Sequence, residues 1–399
     1  MRGGVRSPSI LATVAIATVA ALLASCSGVI TGAAVKASGG PSPGTVDISL
    51  LDVGNYPTKP TPLGTAGTQE IGAIVEGQRM ANYVTGPWET DPSLIGSYAD
   101  SALVLKNANA LNFVLPEALA AIAPRHNFVT GFLTARDGSG KVLRNAVLRF
   151  PDPPAATAAA TELGAAAATE TVSIPSVQPA PIPGHPEAAS FSHTTAAQTT
   201  MVRAFTARGP YVFVESAEAS DVPGATGLIA RTLDQQGPLI DQFTPTDPAK
   251  LADLPIDPTG LLARTLPVSV NVASVNQRAV YEPRGSLQFQ TDPTRSASLF
   301  DTAGMTRQAN AATAVYEARD SKGAQDIVDG FYEEVSPTGK PVDPVNQLPN
   351  SRCLDLSAGR TANFYCLATA DRFAIEAQSA QLRDARQKAA AQYAMLMAS

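Results

Sequence analysis

Apolar residues recur along this chain with two periods, and one stretch has none. Residues 10–24 are uncharged and mostly apolar without a break. Further on, 128–136 and 142–150 carry the strand-like pattern that predicts a hairpin. Asp137-Gly138-Ser139-Gly140 lies between them, and its glycines supply the positive φ such turns need. A helix is predicted from about 154 to 169, because Pro153 and Pro154 stand where a helix can begin and an alanine run follows. "GPYVFVESAE" predicts a short buried strand. In "GLIARTLDQQGPLIDQF", Leu228, Ile229, Leu233, Leu239, Ile240 and Phe243 fall near one helical face, with a kink expected at Gly237-Pro238. A last helix is predicted over about 371–397, where Leu382, Ala385, Ala389, Tyr393 and Leu396 make a core-facing stripe.

The unbroken apolar run changes the picture first. Arg2 and Arg6 precede it, and the small residues Ala24 and Ser25 end it, so 1–25 has the three-part form of a secretory leader. About 15 residues at ~1.5 Å each give roughly 22 Å, short of a ~30 Å hydrocarbon core. Leu23-Ala24-Ser25-Cys26 resembles the bacterial lipobox, which implies that Cys26 receives a diacylglycerol and becomes the first residue of the mature chain. Two acyl chains give a stable anchor where one gives only reversible binding. Residues 26–45 then read as the lipidated cysteine and a flexible tether rich in Gly, Ser and Pro.

Composition bounds the rest. The chain has 399 residues, 44% of them hydrophobic, enough for real cores and too many for one ordinary domain. Lys and Arg total 29 against 35 acids, and losing Arg2 and Arg6 with the leader takes the net charge from −6 to −8. With no basic run, nucleic acid is not an expected partner. Of three cysteines, Cys353 and Cys366 remain once Cys26 is assigned to lipid. In an oxidising compartment they are expected to pair, which closes a loop worth about 3 kcal/mol; separate buried thiols are the alternative.

The domain plan follows from punctuation. An N-terminal domain is placed at 46–243, a Pro-rich ordered connection at 244–267 and a C-terminal domain at 268–399. Three segments suggest that the two are degenerate copies: Tyr83 against Tyr281, Phe150 against Tyr316, and "GPYVFVESAE" against "NFYCLATADRF". On that alignment 211–214 and 364–367 are matched strands, each leading into the long helix of its domain. The expected fold class is α+β: two related sheet-plus-helix domains in tandem, after a signal peptide and flexible tether.

Candidate chemistry is sparse. His126, His185 and His193 form no metal-ligand pattern, so no metal and no cofactor are expected. Ser139 fails the G-x-S-x-G pattern of a nucleophile elbow. Gly140-Lys141 is followed by Val142 and so fails the phosphate-loop pattern. Glu333-Glu334 and Asp253/Asp257 are the nearest carboxylate pairs; read as neighbours in a strand, Glu333 and Glu334 face opposite ways and are no dyad. The single Trp88 is expected to pack in a core or between domains.

"LLDVGNYPTKP", "LDQQGPLIDQF", "DPTGLLARTLP" and the Cys353/Cys366 pair before "AQLRDARQKAAAQY", taken with the lipobox, resemble two-domain exported lipoproteins of mycobacteria, nocardiae and related actinobacteria. The resemblance covers nearly the whole mature chain. It implies an envelope location and a two-domain α+β fold, and it carries over no catalytic residue. The expectation is a non-catalytic protein held to the outer face of the cell membrane through the lipid on Cys26, binding an envelope ligand or partner protein, with an inter-domain cleft as the expected site. A hydrolase of envelope lipids or polymers is the alternative.

Overall fold

A computed structural model describes residues 46–169, 176–269, 271, 273–358 and 361–398. The expected leader (1–25), Cys26 and the whole of the expected tether (26–45) lie outside the described residues. The first domain runs α1 (Gln69–Met80), α2 (Pro87–Thr90), β1 (Gly96–Val104), α3 (Glu117–Ala120), β2 (Thr130–Gly138), β3 (Lys141–Arg149), α4 (Pro153–Ala168), β4 (Gln178–Pro179), β5 (Ala189–Thr194), β6 (Thr200–Arg208), β7 (Tyr211–Ala219) and α5 (Val222–Ile240). The second runs β8 (Ala279–Tyr281), α6 (Pro283–Leu287), α7 (Pro293–Ala303), β9 (Arg307–Asn310), β10 (Ala314–Glu317), α8 (Ser321–Val335), β11 (Lys340–Val342), β12 (Arg352–Asp355), β13 (Phe364–Ala370), β14 (Phe373–Ser379) and α9 (Leu382–Met397).

Each domain holds a seven-stranded antiparallel sheet, and the two share one strand order. The first is β1-β2-β3-β7-β6-β5-β4; the second, read in the same sense, is β8-β9-β10-β14-β13-β12-β11. The helix after the third strand, α4 or α8, covers one face, and the helix after the seventh, α5 or α9, covers the other. On α5, Leu228, Ile229, Leu233 and Ile240 bury against Tyr211, Phe213 and Ala217 of β7. Each such side chain contributes about 1.5–3 kcal/mol relative to leaving it in water. The same alternation on β14 sends Phe373, Ile375 and Ala377 toward Ala385, Ala389 and Leu396 of α9, with Leu382 only partly buried. The fold is therefore two related α+β domains in tandem, as the pattern predicts.

A buried glutamine marks the repeat more finely. Gln236 of α5 accepts from Thr85 N at 2.9 Å and Asn145 Nδ2 at 2.8 Å, and donates to Tyr83 O at 2.8 Å. Gln392 of α9 accepts from Leu266 N at 2.7 Å and Thr313 Oγ1 at 2.6 Å, and donates to Arg264 O at 2.7 Å. Asn145 and Thr313 fall at the same place in their sheets, since Leu148 pairs with Val212 and Tyr316 with Ala374, two residues into β7 and β14. In each copy one amide ties the long helix to the third strand and to the chain that enters the sheet.

This geometry corrects the alignment made from sequence. Tyr83 corresponds to Arg264 and not to Tyr281, which lies in β8. Phe150 and Tyr316 keep their order near the end of the third strand, ahead of α4 or α8, but by register Tyr316 corresponds to Leu148, two residues before Phe150. The pair 211–214 and 364–367 is one strand out: the first lies in β7, the seventh strand, and the second in β13, the sixth. The cause is a hairpin hidden in "TADRF". Asp371 takes a positive φ of 52° with no glycine present, β14 returns over Phe373–Ser379, and α9 starts only at Leu382. By contrast α4 and the β2–β3 hairpin lie within two residues of expectation, the latter turning on Ser139 and Gly140 with φ of 51° and 72°. Pro238 sits inside α5, which continues to Ile240.

The chain also crosses between domains more than its punctuation suggests. Leu51, Leu261 and Leu262 belong to the core of the second domain, and Tyr56 donates from its hydroxyl to Asp384 of α9 at 2.6 Å. Residues 46–56 thus pack on the second domain although they precede the first. The Pro-rich stretch is ordered by packing: Leu251 is buried against α1, where a Cβ on Gly72 would stand 2.1 Å from the Leu251 carbonyl oxygen. Cys353 and Cys366 face each other across β12 and β13 and form a disulfide, with Cα atoms 4.2 Å apart. That is just below the usual lower limit of about 4.4 Å.

Candidate functional site

The seam between the domains is stitched, not open. Arg136, 2% exposed, reaches from β2 and donates to the Gln288 and Gln290 carbonyls at 3.0 and 2.8 Å. Trp88 stacks over its guanidinium at 5.6 Å and is itself buried, as expected of the lone tryptophan. Gln288 donates back to Val84 O at 2.8 Å, Gly285 N donates to Asn82 Oδ1 at 2.8 Å, and Arg284 pairs with Glu89 at 2.7 Å. Nearby, fully buried Glu76 of α1 pairs with Arg149 and Arg79, each at 2.5 Å, and accepts from Thr246 N at 2.8 Å. These side chains tie the segments together, although the Nε atoms of Arg136, Arg149 and Arg284 are buried without a partner. Where the cleft is expected there are two modest cavities, one of about 200 Å³ between Arg79, Tyr83, Phe243, Ile256 and Glu282, and one of about 270 Å³ between Ile74, Gln78, Val275 and Arg278.

A larger and more polar cavity, about 330 Å³, lies inside the second domain between its sheet and α8. Sheet alternation builds its floor. Tyr316 of β10, Tyr365 of β13 and Glu376 of β14 all point to the α8 face, while their neighbours Val315, Cys366 and Ile375 point to α9. Phe331 and Glu334 stand three residues apart on α8, one helical turn, and form part of the opposite wall. Phe289, Gln290 and Thr291, from the loop after α6, line another side.

The polar groups there are unevenly satisfied. The Tyr316 hydroxyl donates to Glu376 Oε2 at 3.0 Å and accepts from Gln308 Nε2 at 3.1 Å. Glu376 Oε1 accepts from Gln378 Nε2 at 3.1 Å. Glu334 Oε1, in contrast, is shut off from solvent and has no hydrogen-bond partner. Burial pushes both carboxyls above the usual range, and the Glu334 charge adds to the rise at Glu376. Burial and the Glu376 charge likewise push the Tyr316 and Tyr365 phenols well up. Arg295 lowers Glu334 somewhat by its charge, but it is engaged by Glu333 at 3.3 Å and by Gly330 O at 3.2 Å.

Other residues singled out from sequence serve structure. His126 bonds Glu162 at 2.6 Å, and His185 bonds Glu187 and Asp234 at 3.2 and 3.1 Å. His193 lies in β5. Asp257 accepts from Ala263 N at 2.7 Å and shapes a loop, and Asp253 ends a short 3-10 turn. Among the described residues no group of three His, Cys, Asp or Glu could hold a metal ion. No described helix is long and apolar enough to cross a membrane. Glu333 and Glu334 lie on α8 and not on a strand, so they are separated by helical rotation: Glu333 faces Arg295 and Glu334 the cavity. Glu376, Tyr316 and Tyr365 were not picked out as site residues, though the polar Glu376 between Ile375 and Ala377 in a period-two strand was a signal that could have found one of them.

No curated protein matches the chain. Residues 63–256 match the N-terminal domain, and residues 261–399 the C-terminal domain, of a family described as a domain of unknown function, DUF7373. The chain is a tandem of the N-terminal and C-terminal DUF7373 domains.

Proposed function

We propose that this is a lipid-anchored binding protein of the cell envelope, exported, held to the outer face of the membrane through Cys26, and taking a small polar ligand in the cavity of its second domain. The observation that carries the binding reading is the cavity itself: a concave site with aromatic walls and a few convergent polar groups, one of them the unpartnered Glu334 oxygen. The anchoring reading rests on Leu23-Ala24-Ser25-Cys26 after an apolar run, and the finer kinship with actinobacterial lipoproteins rests on the sequence likeness described above. Two experiments test it. Cys26→Ala should move the protein from the membrane fraction to the soluble fraction; retention on the membrane would remove the anchor. Native mass spectrometry of the chain after exposure to envelope extract should show a bound small molecule that Leu356→Trp, which adds bulk to the cavity wall, displaces.

A hydrolase acting on envelope polymers or lipids is the second reading, and Glu334 with Glu376 in one cavity favours it. A carboxylic acid beside a carboxylate is the arrangement that cleaves glycosidic bonds. Release of reducing ends from envelope glycan by the parent chain, abolished in Glu376→Gln, would favour hydrolysis over binding alone.

A further inference from the structure

The cavity's unmet polar groups say what it lacks. Tyr365 is only 5% exposed, yet its hydroxyl has no hydrogen bond and lines the cavity. Glu334 Oε1 is buried without a partner on the facing wall. Glu376 has both oxygens engaged by neutral donors, Tyr316 and Gln378, and each oxygen keeps a further lone pair. No lysine or arginine lines the cavity. Two carboxyl groups and a phenol with no cation in the cavity lining, Arg295 acting on Glu334 only from outside it, carry a desolvation cost that a positive ligand offsets. A bare divalent metal fits poorly, since it asks for six or more oxygens and a third acid is missing from the described cluster. An anion would meet both carboxylates.

We infer that the cavity of the second domain binds a primary ammonium group carried on a small hydroxylated body, with Glu334 Oε1, Glu376 and the Tyr365 hydroxyl accepting from its three N–H bonds. The inference rests on the reading of this cavity as the ligand site. A primary ammonium has three donors and no acceptor, which matches three acceptors in one cavity. The aromatic faces of Phe289 and Phe331 suit a cation as well as a carbon skeleton. Gln290, Thr291 and Asn310 offer amide and hydroxyl groups to the ligand's own hydroxyls. Charge-assisted bonds to both acids distinguish the ammonium from a neutral hydroxyl of the same size.

The test is a matched pair of probes, glucosamine and glucose, titrated calorimetrically into the detergent-solubilised full chain at about pH 7. Glucosamine should bind about tenfold or more tighter, as expected for hydrogen bonds to charged groups. That preference should vanish in the double variant Glu334→Gln, Glu376→Gln. Tyr365→Phe removes a hydroxyl with no partner in the fold, so it should fold normally and still weaken glucosamine by about threefold or more. Equal affinity for both sugars, lost in Leu356→Trp, would overturn the ammonium inference and leave the cavity as a ligand site. Binding of neither probe would overturn the inference too; an envelope ligand that Leu356→Trp fails to displace would then overturn the cavity reading itself.

Discussion

Under α4, the first sheet presents Leu148, Phe205 and Val214, and these close against Ala156, Ala159 and Leu163 in a dry layer. Under α8, the positions reached by the same count from the sixth-to-seventh strand hairpin hold Tyr316, Leu367 and Glu376. There the layer opens into a cavity of about 330 Å³. Strand order is identical in the two domains, so topology alone does not set what lies under the covering helix. Side-chain size on the covering helix does. The small residues of α4 let it sit close; a Cβ on its Gly164 would stand 2.7 Å from that of Ala189. On α8, the larger Phe331 and Glu334 form part of the cavity wall, and polar side chains line the sheet below. A duplicated frame can thus keep one copy as scaffold while the other carries a site.

Moving the acid from one copy to the other tests this most severely. Val214→Glu places a carboxylate where Glu376 stands in the second domain, but Leu148 replaces Tyr316 as the cross-sheet neighbour and no donor faces it. The cost should be about 4 kcal/mol, the usual penalty for an unpaired buried charge. Urea unfolding measures it. A loss under about 1 kcal/mol would mean that the first layer is less tightly filled than its packing implies.

The first domain has a buried acid of its own on the opposite face. Glu215 of β7 is fully buried, neither oxygen has a partner, and burial pushes its pKa up to about 8. The equivalent position in the second domain is Ala377, counting from each hairpin. Between the ordinary value of 4.5 and about 8, folded Glu215 holds a proton that the unfolded chain has released. Its contribution is therefore full below about pH 4.5, falls as the pH rises toward 8 and is level above that. Glu215→Gln should remove this slope and raise stability by about 3 kcal/mol at alkaline pH. Its amide can also donate to Asn145 Oδ1, which lies directly opposite and has no partner. Unfolding midpoints measured across pH for both proteins decide the matter; parallel curves would assign the slope to another group.

The glutamine clamps sharpen the comparison from the side of likeness. Gln236→Ala and Gln392→Ala each strand three partners in the interior. Each should cost about 2–3 kcal/mol, with the two values within about 1 kcal/mol of each other. Denaturant melts of the two variants provide the check. Unequal costs would show that the two amides are alike in geometry only.

Sequence pattern reached the parts of this fold that punctuate themselves. The β2–β3 hairpin carries glycines, α4 carries prolines and alanines, and the paired cysteines stand out by count. It failed where a turn had no glycine. "TADRFAIEAQS" is rich in good helix formers, and only the inward alternation of Phe373, Ile375 and Ala377 marks it as a strand. Reading it as helix shifted the repeat alignment by one strand. The Gln236 and Gln392 clamps were invisible because a lone glutamine on a helix is ordinarily solvated; only the third dimension brings Thr85 and Leu266 to them. The cavity was hidden for the same reason. Its walls come from β9, β10, α8, β13 and β14, and Glu334 was judged by a strand rule while lying on a helix.

The smallest effect separates groups that build the cavity from groups that wait in it. Tyr316 and Tyr365 both face α8, but only the Tyr316 hydroxyl is engaged, by Gln308 and Glu376. Tyr316→Phe leaves a buried carboxyl short of a donor and should cost about 1.5 kcal/mol. Tyr365→Phe removes a hydroxyl that bonds nothing in the protein, so its cost should be under about 0.5 kcal/mol. Thermal unfolding of the two variants side by side resolves the difference. Equal losses would mean that the Tyr365 hydroxyl is held by the fold, and with that the second domain would lose its free phenol and come to resemble the first.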